Sequence, residues 1–197
     1  MDYLKDGVEI YRRSFAAIRA ETDLTAIPED IQPILLRIVH ATASPEIVPD
    51  IAFSPGAGAA GVTALRAGAP IFVDCAMVQA GIIKSRLAGN QVLCSLYEEG
   101  VKELAARMNT TRSAAAIDLW KPKLDGAICV IGNAPTALFR LLELIEQGAS
   151  PALVLGFPVG FIGAAESKQA LIEQLVEEAG STHGAEGELA WIFQAAR

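Results

Sequence analysis

Two short apolar runs that show no polar alternation constrain this chain most. Gly126-Ala127-Ile128-Cys129-Val130-Ile131 empties into Gly132-Asn133-Ala134-Pro135-Thr136. Ala152-Leu153-Val154-Leu155 empties into Gly156-Phe157-Pro158-Val159-Gly160-Phe161-Ile162-Gly163-Ala164-Ala165-Glu166-Ser167-Lys168. Strands without alternation are covered on both faces, as in the parallel sheets of α/β proteins. In such sheets ligands sit at the turns that follow the carboxyl ends of the strands. The two glycine- and proline-rich turns are therefore where a site is expected.

The chain has 197 residues, enough for one sizeable core, and its residues are 52% hydrophobic. No apolar run approaches the roughly 18 to 20 residues that a spanning helix needs. Met1-Asp2-Tyr3-Leu4-Lys5-Asp6 lacks the shape of a signal peptide. No membrane partner and a cytoplasmic location are expected. The formal net charge of -7 excludes nucleic acid as a main partner, because phosphate binding needs a concentrated basic face. An anionic ligand would instead be held by local arginines, lysines and helix N-termini. Cys75, Cys94 and Cys129 lie in or beside apolar strand-like runs and read as small buried hydrophobes of a reducing compartment.

Tyr11, Phe15 and Ile18 recur at helical spacing, which predicts an amphipathic helix from about Val8 to Ala20. Ser14 falls on the same face, either as a packing compromise bonded to its own backbone or as a polar group aimed at a ligand. A second helix is expected from near Pro28, with Glu29 and Asp30 in its first turn, ending before Pro45. Ile31, Ile34, Leu35, Ile38 and Thr42 form its predicted stripe. His40 lies about opposite Ile31 and Ile38, in the last turn, where the negative end of the helix favours an imidazolium. It is either a surface histidine capping its own helix or an acid.

Phe53-Ser54-Pro55-Gly56-Ala57-Gly58-Ala59-Ala60-Gly61 contains G-x-G-x-x-G, and a strand Ile71-Phe72-Val73 then ends in Asp74. The pattern imitates a dinucleotide fingerprint with its ribose-binding acid. The run before the glycines is very short and Ser54-Pro55 breaks it, so a serine-proline turn opening a helix is the preferred reading.

A short helix over Met77 to Ile82 leads to Lys84 and Arg86, and a third strand follows at Gln91 to Ser95. A helix from about Glu98 comes next, and Asn109-Thr110-Thr111 supplies the N-cap of another that carries Arg112. An arginine at the positive end of a helix is electrostatically misplaced unless an anion binds there; otherwise it is a solvated side chain. Asn133 is expected to cap the helix after the fourth strand, with Pro135 in its first turn and Leu138, Leu141, Leu142 and Ile145 as its buried stripe. Gly148 ends it. A last clear helix runs from about Ala164 to Ala179. The alternation predicts one α/β domain, three-layered and doubly wound, with a mainly parallel central sheet of about five strands.

Several of these segments together resemble one family. Tyr11-Arg12-Arg13-Ser14-Phe15, Arg37-Ile38-Val39-His40-Ala41-Thr42, Phe53-Ser54-Pro55-Gly56, Leu65-Arg66-Ala67-Gly68-Ala69-Pro70 and Asn109-Thr110-Thr111-Arg112-Ser113-Ala114-Ala115 carry the likeness. The two opening turns complete it. From about Ile10 to Lys168 the chain resembles the precorrin-8X and cobalt-precorrin-8 methylmutases of cobalamin biosynthesis. The resemblance implies an isomerase that moves a methyl group from C11 to C12 of the tetrapyrrole precorrin-8X or its cobalt form, giving hydrogenobyrinic or cobyrinic acid. It implies one catalytic histidine, matched by His40, which protonates or hydrogen-bonds the ring system at a pyrrole nitrogen. It implies no metal or redox cofactor, and a homodimer. For the substrate carboxylates it points to Arg13, Ser14, Lys84, Arg86, Thr111, Arg112, Asn133, Thr136, Gly160 and Lys168, together with the main-chain N–H groups of the two turns.

The likeness is expected to fail after Lys168. The family's next strand, basic glycine-rich turn and final helix are replaced by Gly180 to Arg197, in which Leu189 to Phe193 reads as a replacement edge strand and His183 as a loop residue. Two other functions stand beside the isomerase: a corrinoid-binding homologue without turnover, and an NAD-binding oxidoreductase built on Gly56 to Asp74.

Overall fold

In the computed structural model, residue 1, residues 3–180 and residues 189–194 are described, with residues 174–180 given by their backbone alone. His183 lies outside the described residues. The chain packs as two compact units, Met1–Ile51 and Ala52–Arg197.

In the first unit, helix α1 spans Gly7–Glu21 and α2 spans Gln32–Thr42, followed by a 3-10 turn over Pro45–Asp50. Asp6 starts α1, its carboxylate accepting from the N–H of Val8 at 2.9 Å and of Glu9 at 3.3 Å. None of its side chains is buried. α2 begins later than the acidic pair at Glu29 and Asp30 predicts, and Pro33 explains why. A proline lacks the N–H that a helix interior requires, and here it occupies the first turn, where that donor is not needed. The buried stripe also differs from the expected one, for Ile31, Leu35, Leu36 and Val39 are covered while Ile34 and Ile38 are half-exposed and Thr42 is exposed. Thr42 instead turns its hydroxyl back to the Ile38 carbonyl at 2.9 Å.

The second unit is built on a six-stranded sheet in the order β1-β6-β5-β4-β2-β3. The strands are β1 Ile51–Phe53, β2 Ile71–Val73, β3 Val92–Leu93, β4 Ile128–Ile131, β5 Leu153–Gly156 and β6 Trp191–Gln194. The pairings β2–β3, β2–β4, β4–β5 and β5–β6 are all parallel. The helices are α3 Ala57–Arg66, α4 Ala76–Gly81, α5 Val101–Met108, α6 Arg112–Ile117, α7 Pro135–Glu146 and α8 Ala164–Gly180. Successive strands step one way across the sheet up to β3 and the other way from β4 onward. Right-handed crossovers then put α3 and α4 on one face and α5 to α8 on the other, where each packs on the next. The doubly wound α/β expectation is met.

The period-two alternation of strand side chains divides the core. Phe72, Cys129, Ile131, Val154 and Phe193 pack with Trp120, Leu138, Leu141 and Leu171 on the α5 to α8 side. Leu153 points the other way, against Gly61 of α3, where an added Cβ would stand 2.9 Å from its Cδ2. That close approach gives the last glycine of the G-x-G-x-x-G run a packing role.

Two sequence expectations need correction here. The segment from Leu189 forms a strand as expected but not an edge one, because β6 lies between β5 and β1. Ile192 and Phe193 are fully buried, and the turn after β1 fastens to β6 reciprocally. The Ser54 N–H donates to the Trp191 carbonyl at 3.0 Å, and the Trp191 N–H donates to the Ser54 Oγ at 3.0 Å. Asn133 does not cap α7 either. Ala134 holds the cap position, and the donors around it are satisfied by a residue from another strand.

Candidate active site

The strand order reverses direction between β2 and β4, so the crevice beyond their carboxyl ends is where such a sheet binds ligands. Asp74, the residue after β2, fills that crevice. Its carboxylate is 3% exposed and accepts three main-chain N–H bonds, from Gly132 at 3.0 Å, Asn133 at 3.0 Å and Ala134 at 2.7 Å. An aspartate thus occupies the place at the N-terminus of α7 that an anionic ligand often takes. Gly132 must be a glycine, since a Cβ there would collide with the Val78 side chain of α4.

Two consequences follow for the expected site residues. The N–H groups of Gly132, Asn133 and Ala134 are spent on Asp74 and are not donors for a substrate carboxylate, contrary to the expectation for this turn. Asp74, in turn, is engaged with three amides, which removes the ribose-binding acid that the dinucleotide reading requires.

What the turn does offer are side chains. Thr111, the N-cap of α6, accepts from the Ala114 N–H at 3.1 Å, and its hydroxyl shares a hydrogen bond of 2.8 Å with the Thr136 hydroxyl in the first turn of α7. Arg112 follows Thr111 and is exposed, as is the Asn133 side chain. The turn after β5 joins this cluster through its backbone, the Val159 N–H donating to the Asn133 carbonyl at 3.1 Å and the Phe157 N–H to the Ile131 carbonyl at 2.7 Å. Gly160, at φ 134°, takes a conformation open to glycine rather than to residues with a Cβ. Thr111, Arg112, Asn133, Thr136 and Gly160 are therefore grouped.

Lys168 sits one turn into α8, only 8% exposed, and burial pulls its ammonium below the usual lysine range. It lines an open groove of about 500 Å³ with Glu166, Gln169, Glu173 and Phe193. Lys84 and Arg86 lie exposed on a 3-10 turn after α4, before the edge strand β3. Among the described residues no hydrogen bond or ion pair ties them to the grouped residues, so the structure does not bring them into that cluster.

The first unit carries the remaining three. His40 is exposed in the last turn of α2, and its ring stacks on Phe15 at 5.0 Å with Tyr11 edge-on at 5.8 Å. Arg37 completes the cluster. Its guanidinium donates to the Tyr11 hydroxyl at 2.8 Å and lies over the Phe15 ring at 5.8 Å. Sequence reading named His40 and placed Tyr11 and Phe15 on an amphipathic helix and in the family-like motif without linking them to it; their spacing on α1 is what aims both at one ring. Ser14 is half-buried on α1. Arg13 is bound to Glu9 at 2.7 Å, as is Arg12, and these hydrogen bonds hold the Glu9 carboxyl below the usual carboxylate range.

Among the described residues no group of three or more histidine, cysteine, aspartate or glutamate side chains is arranged to hold a metal ion. Burial pushes the Cys75 and Cys129 thiols up, away from the thiolate form that reacts or ligates. Nor, among these residues, is any helix long and apolar enough to cross a membrane.

Fold and site define a doubly wound α/β protein with a hydroxyl- and arginine-bearing cluster at the switch point and a stacked, exposed histidine on a separate unit. The precorrin-8X methylmutase family model matches residues 9–188. The chain is 54% identical over 173 residues to the precorrin-8X methylmutase of Pseudomonas aeruginosa, covering 87% of this chain and 83% of that one. It is 39% identical over 171 residues to the cobalt-precorrin-8 methylmutase of Priestia megaterium, covering 85% and 76%. The crystal structure of the Thermus thermophilus precorrin-8X methyl mutase superposes with a TM-score of 0.82 at 39% identity, covering 97% of this chain and 87% of that one. The chain belongs to the precorrin-8X methylmutase family. The matched range runs past Lys168 to residue 188, half way through the segment from Gly180 to Arg197.

Proposed function

We propose that this chain is the isomerase that moves a methyl group from C11 to C12 of precorrin-8X or its cobalt form in corrin ring biosynthesis. The observation that carries the reading is a family match running through residues 9–188, with identity as high as 54% to a relative bearing that name. The geometry supports it at both ends of the reaction.

His40 supplies the acid. Packing on Phe15 and Tyr11 fixes the plane of its ring, while the ring itself stays exposed to a reactant. An imidazolium that donates its proton to a pyrrole nitrogen draws electron density out of the macrocycle. The bond from C11 to the methyl group breaks as the bond from C12 forms, and the proton returns to the imidazole, so atoms and charge balance without any redox partner. Nothing in this step needs a metal.

Arg112, Thr111 and Thr136 hold carboxylates of the substrate. An arginine at a helix N-terminus is unfavourable alone, and a bound carboxylate offsets that repulsion while accepting charge-assisted bonds. Lys168 adds a second cation, and Ser14, Arg13, Lys84 and Arg86 are peripheral holders, Arg13 after release from Glu9. We assign the protein to the cytoplasm as a homodimer.

The test is to add precorrin-8X to the purified chain and follow the absorption spectrum. Appearance of the hydrogenobyrinic acid spectrum is the expected result. Tight binding without conversion would instead favour a corrinoid-binding homologue.

A further inference from the structure

We infer that the turn after β5 is an apolar clip for one face of the tetrapyrrole ring, with Phe161 and Ile162 as its contacting residues. The inference rests on the isomerase reading and names a specificity element for it. Phe161 is 107% exposed and Ile162 91%, with Val159 also exposed beside them. Three large apolar side chains in one short turn, all turned to water, are costly unless something covers them in the working state.

The turn is held at its base. Its first half is tied to the switch-point cluster by the Val159 N–H on the Asn133 carbonyl, at 3.1 Å, and Pro158 is buried. Its second half closes on α8, where the Ser167 N–H donates to the Gly163 carbonyl at 2.9 Å and the fully buried Ser167 hydroxyl donates to the Ala164 carbonyl at 3.2 Å. Gly163, at φ 79°, lies so close to α7 that an added Cβ would stand 3.3 Å from the Pro135 Cβ. With both ends anchored and Gly160 reversing the chain between them, the tip projects Phe161 and Ile162 outward.

The same short stretch of structure thus offers hydroxyls on Thr111 and Thr136 at the foot and hydrocarbon at the tip. A ligand matching both must have polar groups at its edge and a broad apolar face. A carboxylate-edged tetrapyrrole has that chemistry, whereas a nucleotide or a small acid lacks the face. Phe161 and Ile162 therefore position the ring and do not take part in proton transfer.

The probe is the product, hydrogenobyrinic acid, titrated into the protein and read by absorption. Phe161→Ala/Ile162→Ala should weaken its binding roughly thirty-fold, as loss of two apolar contacts predicts, and should raise KM while leaving saturated turnover within about threefold. Phe161→Leu, which keeps the hydrocarbon, should bind within about threefold of wild type. Thermal unfolding should be unchanged in both variants, since the side chains are exposed. Unaltered affinity in the double variant overturns the inference. So does a changed sedimentation coefficient with unaltered affinity, which would give the tip to a contact between copies of the chain. If the wild-type protein itself neither binds nor converts corrinoids, the isomerase reading fails first and the clip falls with it.

Discussion

Asp74 is the residue on which the architecture of the switch point most depends, because one carboxylate satisfies three consecutive amides that belong to a different strand. Asp74→Ala leaves those donors buried without a partner. It should cost about 3 kcal/mol of stability, read as a lower urea midpoint, and slacken the turn that positions Thr136. An unchanged midpoint would mean that water replaces the carboxylate at no cost. Lys168 gives the opposite sign. Burial lowers its folded pKa below the unfolded value of about 10.4. The folded state then pays to keep the ammonium charged at neutral pH, and that penalty fades as pH rises toward the unfolded value. Lys168→Met should therefore raise the melting temperature at pH 7, with the gain shrinking toward about pH 10, while corrinoid binding weakens.

At the scale of elements, α6 and α7 are joined by Asp118, which receives two hydrogen bonds of 2.8 Å from Arg140 and an ion pair from Lys121. Burial alone would raise the Asp118 carboxyl, and its hydrogen bonds with Arg140 and Lys121 outweigh that, leaving its pKa below the usual range. A depressed carboxylate stabilises the fold above its unfolded pKa of about 3.9 and loses that contribution as pH falls through the lower folded value. The stability difference between wild type and Asp118→Asn should thus be full near neutral pH and vanish in strong acid, measured by urea unfolding at several pH values. An element can also be placed by what surrounds it. Phe193 is fully buried in β6, an interior strand, so Phe193→Ala should cost about 3 to 5 kcal/mol. An edge strand would tolerate it far better.

These elements differ in how much of them the residues announce. Helix α7 is legible in all but its cap, because Pro135, the Leu138-Leu141-Leu142-Ile145 stripe and Gly148, with its φ of 99°, act within one segment. Helix α2 is less so, since Pro33 and the acidic pair before it send conflicting start signals. The place of β6 was not readable, for a strand's neighbours are fixed by crossovers made elsewhere in the chain. Asp74 was visible only as an acid after a strand, and its true partners are nearly sixty residues away in sequence. The positions of His40 and the turn residues were legible because each belongs to a compact motif. The aromatic seat under His40 was not, because Tyr11 and Phe15 are what any amphipathic helix would carry.

For the whole molecule, the proposed function requires that an acidic chain handle a polycarboxylate locally. Arg140 and Arg13 are paired internally, whereas Arg112 stands exposed beside the hydroxyls at the switch point. The net charge of -7 then disfavours adventitious anions without blocking one that fits. Raising the ionic strength should accordingly change corrinoid affinity only modestly, while Arg112→Ala should weaken it by roughly tenfold or more, as loss of a charge-assisted pair predicts. The most direct measurement of the central claim is turnover of precorrin-8X by His40→Ala beside wild type, with product binding measured on both. The account predicts conversion by wild type alone and similar product affinity for the two proteins. Conversion by His40→Ala at the wild-type rate would contradict it.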